Sequence, residues 1–191
     1  MAYTNVLQIR HEGKSVLYAG AGVLRSDGDA NYGFKALKNA PARLAEVPEL
    51  ERDPALHDLV AAINHSTTGL FSVGCVSGPV EEVSGHRMMG YVEIALNSKD
   101  AAADAASYFP IFFHFDRMLN ENRYDDDVHF HWELMGAHFI EAQLGGFTVT
   151  VTINTGWFET PEAARAVWGD ALQGLAHLLS SVPASPGRNF Y

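Results

Sequence analysis

Between His138 and Asn154 the chain alternates apolar and polar residues about a Gly145-Gly146 pair, a pattern that admits little except a β-hairpin. With the glycines at its tip, Leu144 faces Phe147, Ala142 faces Val149, Ile140 faces Val151 and His138 faces Ile153. These residues share one apolar face. Glu141, Gln143, Thr148, Thr150, Thr152 and Asn154 share the other. A sheet buried on one side and polar on the other follows from that alternation.

Two further runs repeat the design. Glu12-Gly13 separates VLQIRH from KSVLYAG, which places Ile9 opposite Val16 and Leu7 opposite Tyr18. Ser84-Gly85 separates the strands of a second hairpin, with Val73 opposite Leu96, Cys75 opposite Ile94 and Ser77 opposite Val92. Gly78-Pro79 is a candidate bulge or break in its first strand.

Each hairpin leads towards a helical pattern. Asp53-Pro54 caps a helix through Leu56, Leu59, Val60 and Ile63. A middle helix begins near Ser98 or Asp100 and carries Phe109, Phe112, Phe113 and Leu119, with Pro110 a possible kink. Thr160-Pro161 opens the last helix, whose apolar stripe runs through Ala164, Trp168, Leu172, Leu175 and Leu179. The residues between Asp27 and Arg52, broken by Gly28, Gly33, Pro41 and Pro48, read as loop with one short helical turn. The expected fold is α+β: three ββα units giving an antiparallel sheet of about six strands, with helices packed on one face, in a single domain over residues 1–191.

Composition narrows the functional classes. Residues of the apolar types make up 47% of the chain and charged residues 19%, enough for a sizeable core. A net charge of -10 argues against nucleic acid, whose phosphates need clustered Lys and Arg. No basic segment followed by an apolar one opens the sequence, and the longest charge-free stretch, Leu59–Val80, is interrupted by Asn64, His65, Thr67, Thr68 and Pro79. Neither a secretory leader nor a membrane span is expected, and the cytoplasm is the expected compartment.

Several constellations have the residue types of chemistry. His129, His131 and Glu133 alternate within DDDVHFHWE and share one strand face. Same-face neighbours lie roughly 6.5–7 Å apart, close enough for two imidazoles and a carboxylate to converge on zinc or manganese. The competing reading is a plain exposed strand, and H-x-H is too short a pattern to overrule it. His138 falls on the apolar face, where a buried imidazole with one hydrogen-bond partner is expected. His114 and Asp116, two residues apart on a helix, do not face each other.

Asp27, Asp29 and Asn31 open like a calcium loop, but Tyr32 and Lys38 stand where it needs glycine and glutamate. Gly20-Ala21-Gly22 opens like a dinucleotide-binding turn, but Arg25 occupies its third glycine position. Cys75, the single cysteine, faces inward and reads as an inert thiol.

The expectation is therefore a non-enzymatic interaction module without a cofactor. Glu141, Gln143, Thr148, Thr150, Thr152 and Asn154 would form its contact face. They would engage a protein partner or a second copy, for example by masking a toxin or effector. The alternative is a metal-dependent hydrolase built on His129, His131 and Glu133, with zinc or manganese activating water.

Overall fold

A computed structural model describes residues 3–16, 23–24, 30–31, 33–121 and 127–191. The fold is α+β. Its strands are β1 (Tyr3–Val16), β2 (Val23–Leu24), β3 (Ala30–Asn31), β4 (Leu70–Glu82), β5 (Gly85–Leu96), β6 (Val128–Phe139) and β7 (Leu144–Thr155). Its helices are α1 (Pro48–Arg52), α2 (Pro54–Ile63), α3 (Lys99–Ala102), α4 (Phe109–Glu121) and α5 (Pro161–Ser180). Five strands form one mixed sheet in the order β1-β6-β7-β5-β4, and β2 and β3 pair separately.

Two of the three expected ββα units are present: β4-β5 followed by α3, and β6-β7 followed by α5. Their helices start where the capping residues placed them. Ser98 accepts from Ala101 N and Thr160 accepts from Ala163 N. Asp53 accepts from Leu56 N at the start of α2. The middle helical run is divided into α3, a 3-10 turn at Ala105–Tyr108 and α4. Pro110 therefore falls in the first turn of α4, where its missing N–H leaves no bond unmade.

The first hairpin does not form. β1 is continuous through Glu12-Gly13, and pairs in parallel with β6, so that Leu7 lies beside Trp132 and Ile9 beside Leu134. The register shifts between Arg10 and Gly13. The glycine that read as a turn thus marks an irregularity in an edge strand. Tyr18, the expected partner of Leu7, lies outside the described residues. Consequently the sheet has five strands rather than six and is mixed rather than antiparallel.

The second hairpin is present with its strands slipped by two residues. Glu82 faces Gly85, and Cys75 faces Val92. A further shift between Ser72 and Gly74 isolates Val73 as a bulge. Pro79 stays in β4, an edge strand, where a missing donor is tolerated.

The third hairpin turns elsewhere. Residues Ile140–Gln143 make the reversal, with Gln143 at φ 49°, and Phe139 faces Leu144. Gly145 and Gly146 lie within β7. A Cβ on Gly146 would stand 2.6 Å from the Ala102 carbonyl oxygen, so a close approach, not a turn, requires that glycine. Val149, Val151 and Ile153 accordingly face Leu134, Trp132 and Phe130 of β6, which occupy the places expected of Ala142, Ile140 and His138.

Burial follows alternation along most of the sheet. Val128, Phe130, Trp132, Leu134, Val149, Val151, Ile153, Val92 and Ile94 are all buried on the helix side. Phe115 of α4 packs edge-on against Phe130, with ring centroids 4.9 Å apart, and Phe112 meets Trp132 at 5.9 Å. Trp168 of α5 donates from Nε1 to Asp53 Oδ2 at 2.8 Å. Exceptions among the expected core residues include Ile9 at the edge, 53% exposed, Ile140 in the turn, 40% exposed, and Leu7, which is half-buried.

Candidate functional site: the open face of the sheet

The face turned away from the helices is a grid fixed by strand register. One row across the sheet is Thr4, His129, Asn154, Met89 and Gly78. The next is Val6, His131, Thr152, Tyr91 and Val76. The third is Gln8, Glu133, Thr150, Glu93 and Gly74. Strand alternation alone puts these side chains together, because each row is one residue per strand at neighbouring register positions.

Short contacts between strands fasten the grid. Thr4 Oγ1 and His129 Nδ1 lie 2.8 Å apart, and His131 Nε2 donates to Gln8 Oε1 at 3.1 Å. Arg10 pairs with Glu133 at 2.6 Å. Lys14 reaches across the sheet to the buried Glu93. On the helix side, Asn5 Oδ1 accepts from Trp132 Nε1 and its Nδ2 donates to Asp116 of α4. The side chains of β1 thus tie the edge strand to β6 from both faces.

His129, His131 and Glu133 do share one face, as the H-x-H-x-E spacing expects. Each also has a partner other than a metal: Thr4 for His129, Gln8 for His131 and Arg10 for Glu133. Among the described residues no group of three or more His, Cys, Asp or Glu is placed to hold a metal ion. Asp125 and Asp126, considered as a further ligand, lie outside the described residues.

Thr150, Thr152 and Asn154 stand half-buried on the open face as expected. Glu141 and Gln143 do not join them. They belong to the turn, and Gln143 Nε2 donates to the Ile140 carbonyl. Thr148 is fully buried, and its hydroxyl has no partner among the described residues. The cause is local. At this end the sheet is covered on its second side too, by Phe139, Phe71 and Phe190, whose rings lie 4.7–6.3 Å apart. Asn97 holds that C-terminal segment with two hydrogen bonds to Tyr191. The same cover exchanges the roles of neighbouring residues in β6: Ala137 and Phe139 are buried there, while His138 is exposed instead of lining the core.

Two buried polar groups of the interior are structural. Asp53 accepts from Leu56 N, Ser77 Oγ and Trp168 Nε1, joining α2, β4 and α5. Lys38 donates to the carbonyls of His65 and Thr68 and to Thr68 Oγ1 at 2.6–2.7 Å, and burial pulls its pKa down from 10.5 to about 8. Cys75 is half-buried, and burial together with the charges of Glu49 and Asp53 pushes its pKa up to about 12, which suppresses thiolate chemistry.

A cleft of about 190 Å³ opens beside the aromatic cover, between Lys99, Phe139, Glu141 and Tyr191. That is smaller than the roughly 300–1,000 Å³ usual for small-molecule sites. Alternation in the second hairpin sets Tyr91 and Glu93 on its outer face, but sequence reasoning missed Thr4, Gln8 and Met89 and the joining of the hairpins into one face, because these depend on strand pairings remote in sequence. Comparison with protein-family models, with curated proteins and with solved structures finds no match.

Proposed function

We propose that this chain is a protein-interaction module whose contact surface is the open sheet face, centred on Thr152, His131 and Tyr91. Masking or neutralising a toxin or effector is the kind of task that such a surface serves. The observation that carries this reading is the composition of the grid. It mixes hydroxyl, amide and imidazole groups with Val6 and Met89, which are 51% and 39% exposed. A surface intended only for water has no need of apolar residues set among pinned polar ones, and interfaces combine the two. The β1–β6 contacts hold the polar groups in place before binding, which lowers the entropy lost on association.

The hydrolase reading would require His129, His131 and Glu133 to leave Thr4, Gln8 and Arg10, and among the described residues only Asp127, 3.9 Å from His129, stands near them as a further carboxylate. No observation favours it over the contact surface.

The test is histidine footprinting. The chain is isolated from its cells with whatever it binds, and its histidines are modified with diethyl pyrocarbonate in the complex and alone. His129 and His131 are expected to be protected in the complex, whereas His57 on α2 and His177 on α5 react equally in both. Equal reaction of His129 and His131 in both states, or isolation of the chain without a companion, would overturn the proposal.

A further inference from the structure

β1 is an edge of the sheet, and among the described residues it pairs with β6 alone. An edge strand offers a row of unsatisfied N–H and C=O groups, and folded chains protect such edges with lysine, proline, charge or a bulge. Among the described residues the protection is confined to one end, at the register shift after Arg10 and at Lys14. Residues 4–9, Thr-Asn-Val-Leu-Gln-Ile, hold no charge, proline or glycine and keep one continuous register with β6. The strip is also apolar where it should not be. Ile9 is 53% exposed on the helix side. Beneath β1, Asp116 of α4 reaches Asn5 at 3.2 Å, and Phe113, three residues away on the same flank of that helix, is 62% exposed.

We infer that two copies of this chain associate through β1, antiparallel, about a two-fold axis at Gln8. In that register Gln8 faces Gln8 of the second copy. Leu7 faces Ile9 and Ile9 faces Leu7 on the helix side, and Val6 faces the aliphatic stem of Arg10 on the open side. Neighbouring registers are poorer. An axis at Leu7 sets Ile9 against Asn5, and an axis at Ile9 sets Leu7 against His11. An axis at Arg10 sets two like charges face to face, which is destabilising. The Gln8 axis alone gives both apolar residues of the helix side an apolar partner. The same symmetry brings the α4 flanks bearing Phe113 side by side, because a two-fold perpendicular to the sheet keeps both helix layers on one side.

Two five-stranded sheets then join into one of ten, and the open face is doubled without being covered. The association therefore goes beyond the contact-surface reading and is separable from it.

Directly opposed residues of an antiparallel pair have Cβ atoms about 4.5–5.5 Å apart, close to disulfide reach. With Cys75 replaced by Ala, Gln8→Cys is expected to form a covalent dimer on mild oxidation. Thr4→Cys is expected to stay monomeric, since its copies would lie eight positions apart, roughly 27 Å. Sedimentation of the native chain at about 100 µM should give the dimer mass, a modest affinity being sufficient. Ile9→Lys should give the monomer mass, and at dilutions where the native chain is itself monomeric the two should melt at the same temperature, because Ile9 is 53% exposed in the single chain. A monomeric native chain, equal cross-linking at the two positions, or a dimer that survives Ile9→Lys would overturn the inference. A dimer lost in Thr152→Arg but kept in Ile9→Lys would assign self-association to the open face instead.

Discussion

Lys38 offers a quantitative test of the interior. The residue is 5% exposed, and its ammonium group is bound to two carbonyls and a hydroxyl, with no carboxylate among those acceptors. Burial lowers its pKa from 10.5 to about 8. Between these values the unfolded chain holds a proton that the folded chain has released. Stability therefore rises with pH through that window, is fully gained above 10.5 and is lost as pH falls through 8. A shift of this size corresponds to a ceiling of about 3 kcal/mol, at 1.36 kcal/mol per pKa unit. Lys38→Met removes the titration and takes a donor from the Thr68 carbonyl and hydroxyl, while the His65 carbonyl keeps the Thr68 N–H, a penalty of about 1–3 kcal/mol that does not change with pH. The assay is urea unfolding at intervals from pH 7 to 10.5, followed by the fluorescence of the buried Trp132 and Trp168. The difference between native chain and variant should widen in favour of the native chain by about 2–3 kcal/mol across the window. A difference that stays flat, or narrows, would show instead that the three acceptors hold the proton more strongly than burial expels it.

Other expectations follow from the same geometry. Asp53→Ala strands the Trp168 indole N–H and the Ser77 hydroxyl and uncaps α2, and should lower unfolding stability by about 3 kcal/mol or more. Val151→Asp places an unpaired charge at a fully buried position and should abolish cooperative thermal unfolding. Gly146→Ala drives a Cβ to 2.6 Å from the Ala102 carbonyl oxygen, and should lower the melting temperature measurably through a local backbone shift. His129→Ala combined with His131→Ala should respond to added zinc or manganese as the native chain does, with no shift in melting temperature. Stabilisation of the native chain alone would revive the hydrolase reading.

What could be read from the sequence was what alternation and caps determine locally. Ser98, Thr160 and Asp53 located helix starts because a cap acts within four residues. The faces of Thr150, Thr152 and Asn154 were legible although the β7 register was not. Apart from Leu70–Ser72 beyond the Val73 bulge, both hairpins slipped by an even number of residues, and an even slip leaves inside and outside unchanged. The β6–β7 turn was hidden because Gln143, not glycine, takes the positive φ, whereas Gly145-Gly146 has the look of a turn and serves a packing contact. The parallel pairing of β1 with β6 joins residues more than a hundred positions apart, and no local pattern encodes it. Thr148 and His138 were misplaced for a related reason. Their burial is set by Phe190, brought from the far end of the chain onto the second side of the sheet.

Thr152 stands in the middle of the open face between His131 and Tyr91, with no carboxylate directly beside it in register to receive a new cation. Thr150, by contrast, lies between Glu133 and Glu93 and would accommodate one. Thr152→Arg is therefore the most direct probe of the contact surface. The measurement is the dissociation constant of the isolated complex, by titration calorimetry, for the native chain and for a Thr152→Arg chain of matched melting temperature. Binding by the variant should be weaker by about tenfold or more, equivalent to about 1.4 kcal/mol. An unchanged dissociation constant would contradict the contact surface.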